Sequence, residues 1–252
     1  MIKAVVFDLD DTLCNASEVL EQSLRTTFEE NLSHFPGKTV EEMVALNKLA
    51  FKETFQDPNI PIPTASILIW FKIFELMGKK PPIKGIMRIV EKVWEENTNK
   101  LKPTPGAHEF LDWLQDHDIK VGVLTNGVFM SQAKKIAILG MDSKIDCLAT
   151  SDMAVADKPD PKAYLYILDK MKVWPTEAIM VGDRIDNDVL GGKKIGMKGV
   201  LMTSEHTKPL TSSKKADSNL LFCCYFSRQA FKGIPDCFTI PLNVLGLNDF
   251  DP

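Results

Sequence analysis

Val5-Val6-Phe7-Asp8-Leu9-Asp10-Asp11-Thr12-Leu13 is an apolar run that breaks off at three carboxylates. Its β-branched and aromatic start predicts a short buried strand. Carboxylates this close repel one another, and removing them from water costs several kcal/mol unless a cation lies among them. In a parallel sheet the carboxyl ends of the strands face the ligand crevice, a placement that aims Asp8 and Asp10 at a site and away from the core. A hard metal ion is the simplest partner for them.

Working outward, residues 17–100 change character. Val19, Leu20, Leu24 and Phe28, then Val40, Met43 and Val44, recur at helical spacing. Thr64 is expected to cap a third helix through Ile67, Leu68, Phe71 and Phe74, and Ile83, Ile86, Met87, Val90 and Val93 mark a fourth. Beyond the Lys102-Pro103-Thr104-Pro105-Gly106 linker, the pattern alternates helix and short apolar strand. Strands are expected at Ile119–Leu124, Ile145–Ala149, Ala178–Val181 and Gly199–Met202, with helices near 107–117, 128–139, 161–171 and 186–196. The expected fold class is therefore α/β: a Rossmann-like parallel-sheet core (1–16 and 101–252) with an inserted α-helical cap domain (17–100).

The later strand ends carry residues suited to phosphate chemistry. Thr125-Asn126-Gly127 offers a hydroxyl and open backbone N–H groups for phosphoryl oxygens. Lys158, before Pro159-Asp160-Pro161, can neutralise phosphate and a carboxylate nucleophile. The fourth strand of this series ends in Gly182-Asp183-Arg184-Ile185-Asp186-Asn187-Asp188, a second acidic cluster. Two such clusters make an oxygen-lined Mg2+ site plausible.

Together these pieces resemble the haloacid dehalogenase-like hydrolase superfamily, whose four motifs run in this order, over most of residues 1–203. The resemblance implies a phosphatase in which Asp8 attacks phosphorus and Asp10 is general acid and base. Thr125 and Asn126 with Lys158 would hold phosphate. Mg2+ would be held by Asp8, the backbone carbonyl of Asp10 and Asp183, with Asp188 in support. The implied substrate is a small phosphorylated metabolite, selected by the cap. Two residues depart from the pattern: Arg184 stands where Ser or Thr is usual, and Val155 where Gly is common. Pro235–Ile240 resembles the family's last short strand, which makes about 207–232 an insertion.

Composition narrows the partners. A net charge of −4 gives no general attraction for nucleic acid or an anionic membrane surface. No apolar run approaches the length of a membrane span and no leader precedes the first strand, so a soluble, cytoplasmic protein is expected. The five cysteines have no Cys-x-x-Cys spacing, and the four histidines have no zinc-ligand spacing. No sequence feature sets an oligomeric state. Asp10 argues against dehalogenases and phosphonate-cleaving relatives, which lack that residue; a phosphomutase keeps it and stays open. A non-catalytic signalling or scaffold relative is the other alternative, although phosphorylatable receiver domains are much smaller and order their acidic residues differently.

Overall fold

The computed structural model describes residues 1–56, 62–202 and 220–223, giving the backbone alone at 55–56, 62–66 and 220–223. Six parallel strands form one sheet: β1 (Ala4–Phe7), β2 (Lys120–Thr125), β3 (Cys147–Thr150), β4 (Ala178–Gly182), β5 (Lys198–Met202) and β6 (Leu220–Cys223). Their spatial order is β3-β2-β1-β4-β5-β6. The chain winds outward to one side of β1 and then to the other, so the reversal falls beside β1, where a parallel sheet opens its ligand crevice. Phe7 pairs in register with both Val123 and Val181, which brings the ends of β1, β2 and β4 level.

Helices cover both faces of this sheet. They are α5 (Ala107–Asp116), α6 (Phe129–Ile138), α7 (Ser151–Ala154), α8 (Pro161–Met171) and α9 (Leu190–Lys193), numbered after the four helices of the insertion. Alternation along β1 divides the core: Ala4 and Val6 pack with Tyr164, Ile167 and Met171 of α8, while the Phe7 ring meets Phe110 of α5 edge-on at 6.1 Å. All four β1 residues are buried, which accounts for the apolar run with no polar face.

The chain divides into two compact units, Met1–Asn15 with Lys102–Pro252, and Ala16–Leu101. The second is the helical insertion between β1 and β2: α1 (Ala16–Asn31), α2 (Val40–Gln56), α3 (Ile62–Leu76) and α4 (Ile83–Lys100). It has its own core, in which Phe28 packs against Trp70 at 5.4 Å and Phe35 against Phe74 at 5.6 Å. Thr64 lies inside α3 and is not its cap, since the helix already begins at Ile62. Where the chain leaves and re-enters the sheet unit the two strands are tied together: Lys102 N–H donates to Asn15 Oδ1 at 2.8 Å and Thr104 N–H to Leu13 O at 2.8 Å. The proline-rich linker is thus a paired segment.

One further expectation changes. β6 falls within the stretch read as an insertion, pairing Gly199–Met202 with Leu220–Cys223; Pro235–Ile240 lies outside the described residues. The helix expected near 186–196 is present as one helical run, a π turn (Ile185–Val189) that continues into the four-residue α9. Glycine is a poor helix former, yet a side chain at Gly191 would collide with Tyr164 and one at Gly192 would press tightly on Met180, so close packing overrides propensity there. No helix among the described residues is long and apolar enough to cross a membrane.

Candidate active site

Asp8 follows β1 directly, and its N–H extends the ladder by donating to Val181 O at 2.8 Å. Asp183 follows β4 in the same way. Asp188 reaches the same place from the π turn, in which Leu190 N–H donates five residues back to Ile185 O and Asp188 N–H donates to Arg184 O at 2.8 Å. Ligand oxygens of Asp8, Asp183 and Asp188 all lie within 4.8 Å of one another. Gly182 makes the approach possible, because a Cβ there would overlap the Asp188 carboxylate. Tyr164 fixes the turn from behind, its hydroxyl donating to Asn187 O.

Lys158 enters from the far side of the cluster. Its ammonium donates to Asp8 Oδ1 at 2.6 Å and to Asp188 Oδ1 at 2.7 Å, and all three side chains are buried. Asn126 holds the lysine's backbone on both sides: Lys158 N–H donates to Asn126 Oδ1 at 2.8 Å, and Asn126 Nδ2 donates to Lys158 O at 3.1 Å. The Asn126 side chain is engaged in placing Lys158, while the expectation of phosphate contact concerns the backbone N–H groups of this turn. Thr125 is buried at the end of β2 with its hydroxyl accepting from Gln132 Nε2 at 3.0 Å.

Charge and burial explain the protonation behaviour. Burial pushes the Asp8 carboxyl up to about 7, against the opposing pull of Lys158 and helped by Asp188. Burial, aided by Asp188 and Asp11, pushes Asp183 up to about 6. Burial works against the charge of Lys158 as well, but the Asp8 and Asp188 carboxylates more than offset it and hold the ammonium above the ordinary lysine value. Three carboxylates thus face one ammonium, and Asp183 Oδ1 is buried without a hydrogen-bond partner. A divalent cation of hard, oxygen-seeking character fits this donor set, supplying charge and a partner for the orphaned oxygen.

Asp10 lies off this cluster. Lys135 Nζ reaches its two oxygens at 2.6 and 2.8 Å, and Gln132 Nε2 stands 3.4 Å from Oδ2. Neither Gln132 nor Lys135 stands out in the sequence, where both read as ordinary polar residues of α6. Their i, i+3 spacing one turn past Thr125-Asn126-Gly127 is the one signal that could have found them.

The two departures from the family pattern have local explanations. Arg184 is exposed, and its backbone N–H donates to Asp188 Oδ2 at 2.9 Å, so the main chain steadies this carboxylate without a hydroxyl side chain. Val155 adopts φ 51°, ψ 36°, the left-handed conformation that suits glycine, and is 86% exposed. Left-handed backbone costs an L-residue roughly 1–2 kcal/mol, while glycine returns part of that as unfolded-state entropy. Val155→Gly is expected to stabilise the fold by about 1 kcal/mol, a rise of roughly 2–4 °C in Tm, with no packing lost. Thermal denaturation checks this, and a fall in Tm would count against it.

An open parallel sheet whose central strand ends in a buried carboxylate–lysine cluster places an acidic, cation-ready site at the carboxyl ends of its strands. The profile of the haloacid dehalogenase-like hydrolases matches residues 5–202, and the chain belongs to that family. Its relatives include phosphatases. The glyceraldehyde 3-phosphate phosphatase of Pyrococcus furiosus is 31% identical over 199 residues, covering 79% of this chain and 80% of the relative. A HAD phosphatase from Thermococcus onnurineus matches in structure with TM-score 0.60 and 26% identity, over 83% of this chain and 90% of that one. A HAD-hydrolase from Bacillus subtilis, solved bound to magnesium, shares the fold with TM-score 0.64 at 18% identity, over 84% and 91%.

Proposed function

We propose that this chain is a Mg2+-dependent, cytoplasmic phosphatase that hydrolyses a small phosphorylated metabolite through an aspartyl phosphate on Asp8. The observation that carries the reading is the Lys158 ammonium bridging Asp8 and Asp188, with Asp183 completing the carboxylate cluster. One oxygen of Asp8 attacks phosphorus while the bond from phosphorus to the leaving oxygen breaks. Lys158 masks charge between the carboxylate and the phosphoryl group, and the Thr125 hydroxyl with the Asn126 backbone holds phosphoryl oxygens. Asp10 gives a proton to the departing alkoxide, then takes one from the water that attacks phosphorus and frees Asp8. Mg2+, held by Asp8, Asp183, the Asp10 carbonyl and, in support, Asp188, would supply charge neutralisation for the phosphoryl oxygens.

The named substrate of the Pyrococcus relative, a phosphorylated triose, supports a small sugar phosphate as the first candidate. The helical insertion is the proposed selector. The test is a panel of sugar phosphates, nucleotides, phosphopeptides and 5′-phosphorylated oligonucleotides, reading released phosphate with and without Mg2+. The highest kcat/KM is expected on a sugar-sized metabolite. Efficient hydrolysis of a phosphopeptide or oligonucleotide, with weak activity on every metabolite, would refute the assignment.

Cation binding carries a pH signature. Without metal, Asp8 and Asp183 titrate near 7 and 6 when folded but near 3.8 when unfolded. The folded chain then holds the extra protons, so this contribution is full below about pH 4 and is lost as pH rises through 6 and 7. Mg2+ needs those protons gone, and saturation at about 100 times Kd adds about 2.7 kcal/mol, or roughly 5–10 °C in Tm. The Mg2+-induced rise is expected to be larger at about pH 8 than at about pH 5.5. An equal rise at both values would mean that Mg2+ binds elsewhere.

A further inference from the structure

We infer that Lys135, steadied by Gln132, is a positioning residue for Asp10: it fixes the carboxylate that exchanges protons with the leaving group. The inference rests on the functional reading above. Asp10 follows β1 on a loop that turns about the Leu9 carbonyl. Among the described residues its side chain bonds to Lys135 at both oxygens and to Gln132, beyond a 4.0 Å contact from the Cys14 thiol. Two contacts from a single ammonium set the side-chain torsions of a carboxylate more tightly than one.

The support is built into α6. Gln132 is almost fully buried, and its Nε2 donates to Thr125 Oγ1 at 3.0 Å and to Asn126 O at 2.8 Å while lying near Asp10. One amide thereby ties the phosphate-side loop to the proton-transferring group. Lys135 follows three positions later on the same face, its side chain 18% exposed against 35% for that of Asp10. A pair this open to water contributes little to stability. Misplacing a reacting group by about 1 Å costs on the order of 100-fold in rate. Orientation, and not folding, is where this ion pair has its effect.

The roles separate by experiment. Lys135→Met, measured with Mg2+, is expected to lower kcat on an alkyl phosphate such as glyceraldehyde 3-phosphate by roughly 10- to 100-fold. KM should hold within about threefold, and the single-turnover phosphorylation rate with nitrophenyl phosphate, whose leaving group needs no proton, should change little, whereas hydrolysis of the shared aspartyl phosphate should slow alike for both substrates. Lys135→Arg should recover part of the loss. In an Asp10→Asn background, Lys135→Met should have no further effect, because both act through one step. Thermal denaturation of each variant should stay within about 3 °C of wild type.

Equal losses in the phosphorylation step on both substrates, a raised KM with unchanged kcat, or additivity with Asp10→Asn would each overturn the positioning role. Should Asp10→Asn itself retain wild-type turnover of the alkyl phosphate, the acid–base reading fails and the inference falls with it. A selective Asp10→Asn loss that Lys135→Met does not reproduce removes the inference alone.

Discussion

Replacing Asp8 by Asn is expected to abolish phosphate release, by at least about 10⁴-fold in kcat, without weakening the fold. The amide is isosteric but cannot attack phosphorus. Stability should follow the charge balance: Asp8 is buried, and burial together with Asp188 pushes its carboxyl up to about 7 even with Lys158 in contact. Removing one of three clustered carboxylates relieves that repulsion and leaves Lys158 paired with Asp188 at 2.7 Å. In Mg2+-free buffer near pH 8 the Tm of the variant is expected to equal or exceed that of wild type, as at other sites where function is kept against stability. A large fall in Tm would show that the Asp8–Lys158 bond outweighs the repulsion.

Lys158→Met is expected to have the opposite stability effect. It removes the ammonium that contacts both Asp8 and Asp188 and leaves buried carboxylates with no countercharge. Breaking a buried pair in this way costs about 3–5 kcal/mol, or roughly 6–20 °C in Tm. The loss should be greater at about pH 8 than at about pH 5, because acid lets the carboxylates protonate, and Mg2+ should restore part of it. Activity should fall by at least about 10³-fold. Thermal scans at the two pH values, with and without Mg2+, check each element; a variant as stable as wild type at high pH without metal would show that Lys158 does not balance this cluster.

The strands and the carboxylate cluster were legible because their signals are local. An apolar run stopping at Asp8 marks a strand end wherever it occurs, and the same reading applies to Val181-Gly182-Asp183. Asp8, Thr125, Lys158, Asp183 and Asp188 could be named in advance, although only the fold brings them together. The Lys135–Asp10 pair was not legible, since its members are 125 positions apart and a lysine on a helix carries no mark of its partner. The bracing of Lys158 by the Asn126 side chain was not legible either, for it too spans a long separation. Helical periodicity marked the helical run at 186–196 but not its opening π turn, and Gly191 and Gly192 within it are set by packing against Tyr164 and Met180. Val155 shows the converse: an unfavourable residue keeps a glycine-type backbone because the surrounding turn, with Ala156 N–H donating to Ser151 O at 3.2 Å, determines it.

The measurement closest to the central claim is to catch the phosphoryl group on the protein. A rapid acid quench during turnover of a sugar phosphate with Mg2+, followed by borohydride reduction and peptide mass spectrometry, converts an aspartyl phosphate to homoserine at the residue that carried it. The account expects that mark at Asp8, dependent on substrate and Mg2+, and enriched when Asp10→Asn slows the second step. An active enzyme with an unmarked Asp8, or with the mark on another carboxylate, would contradict it.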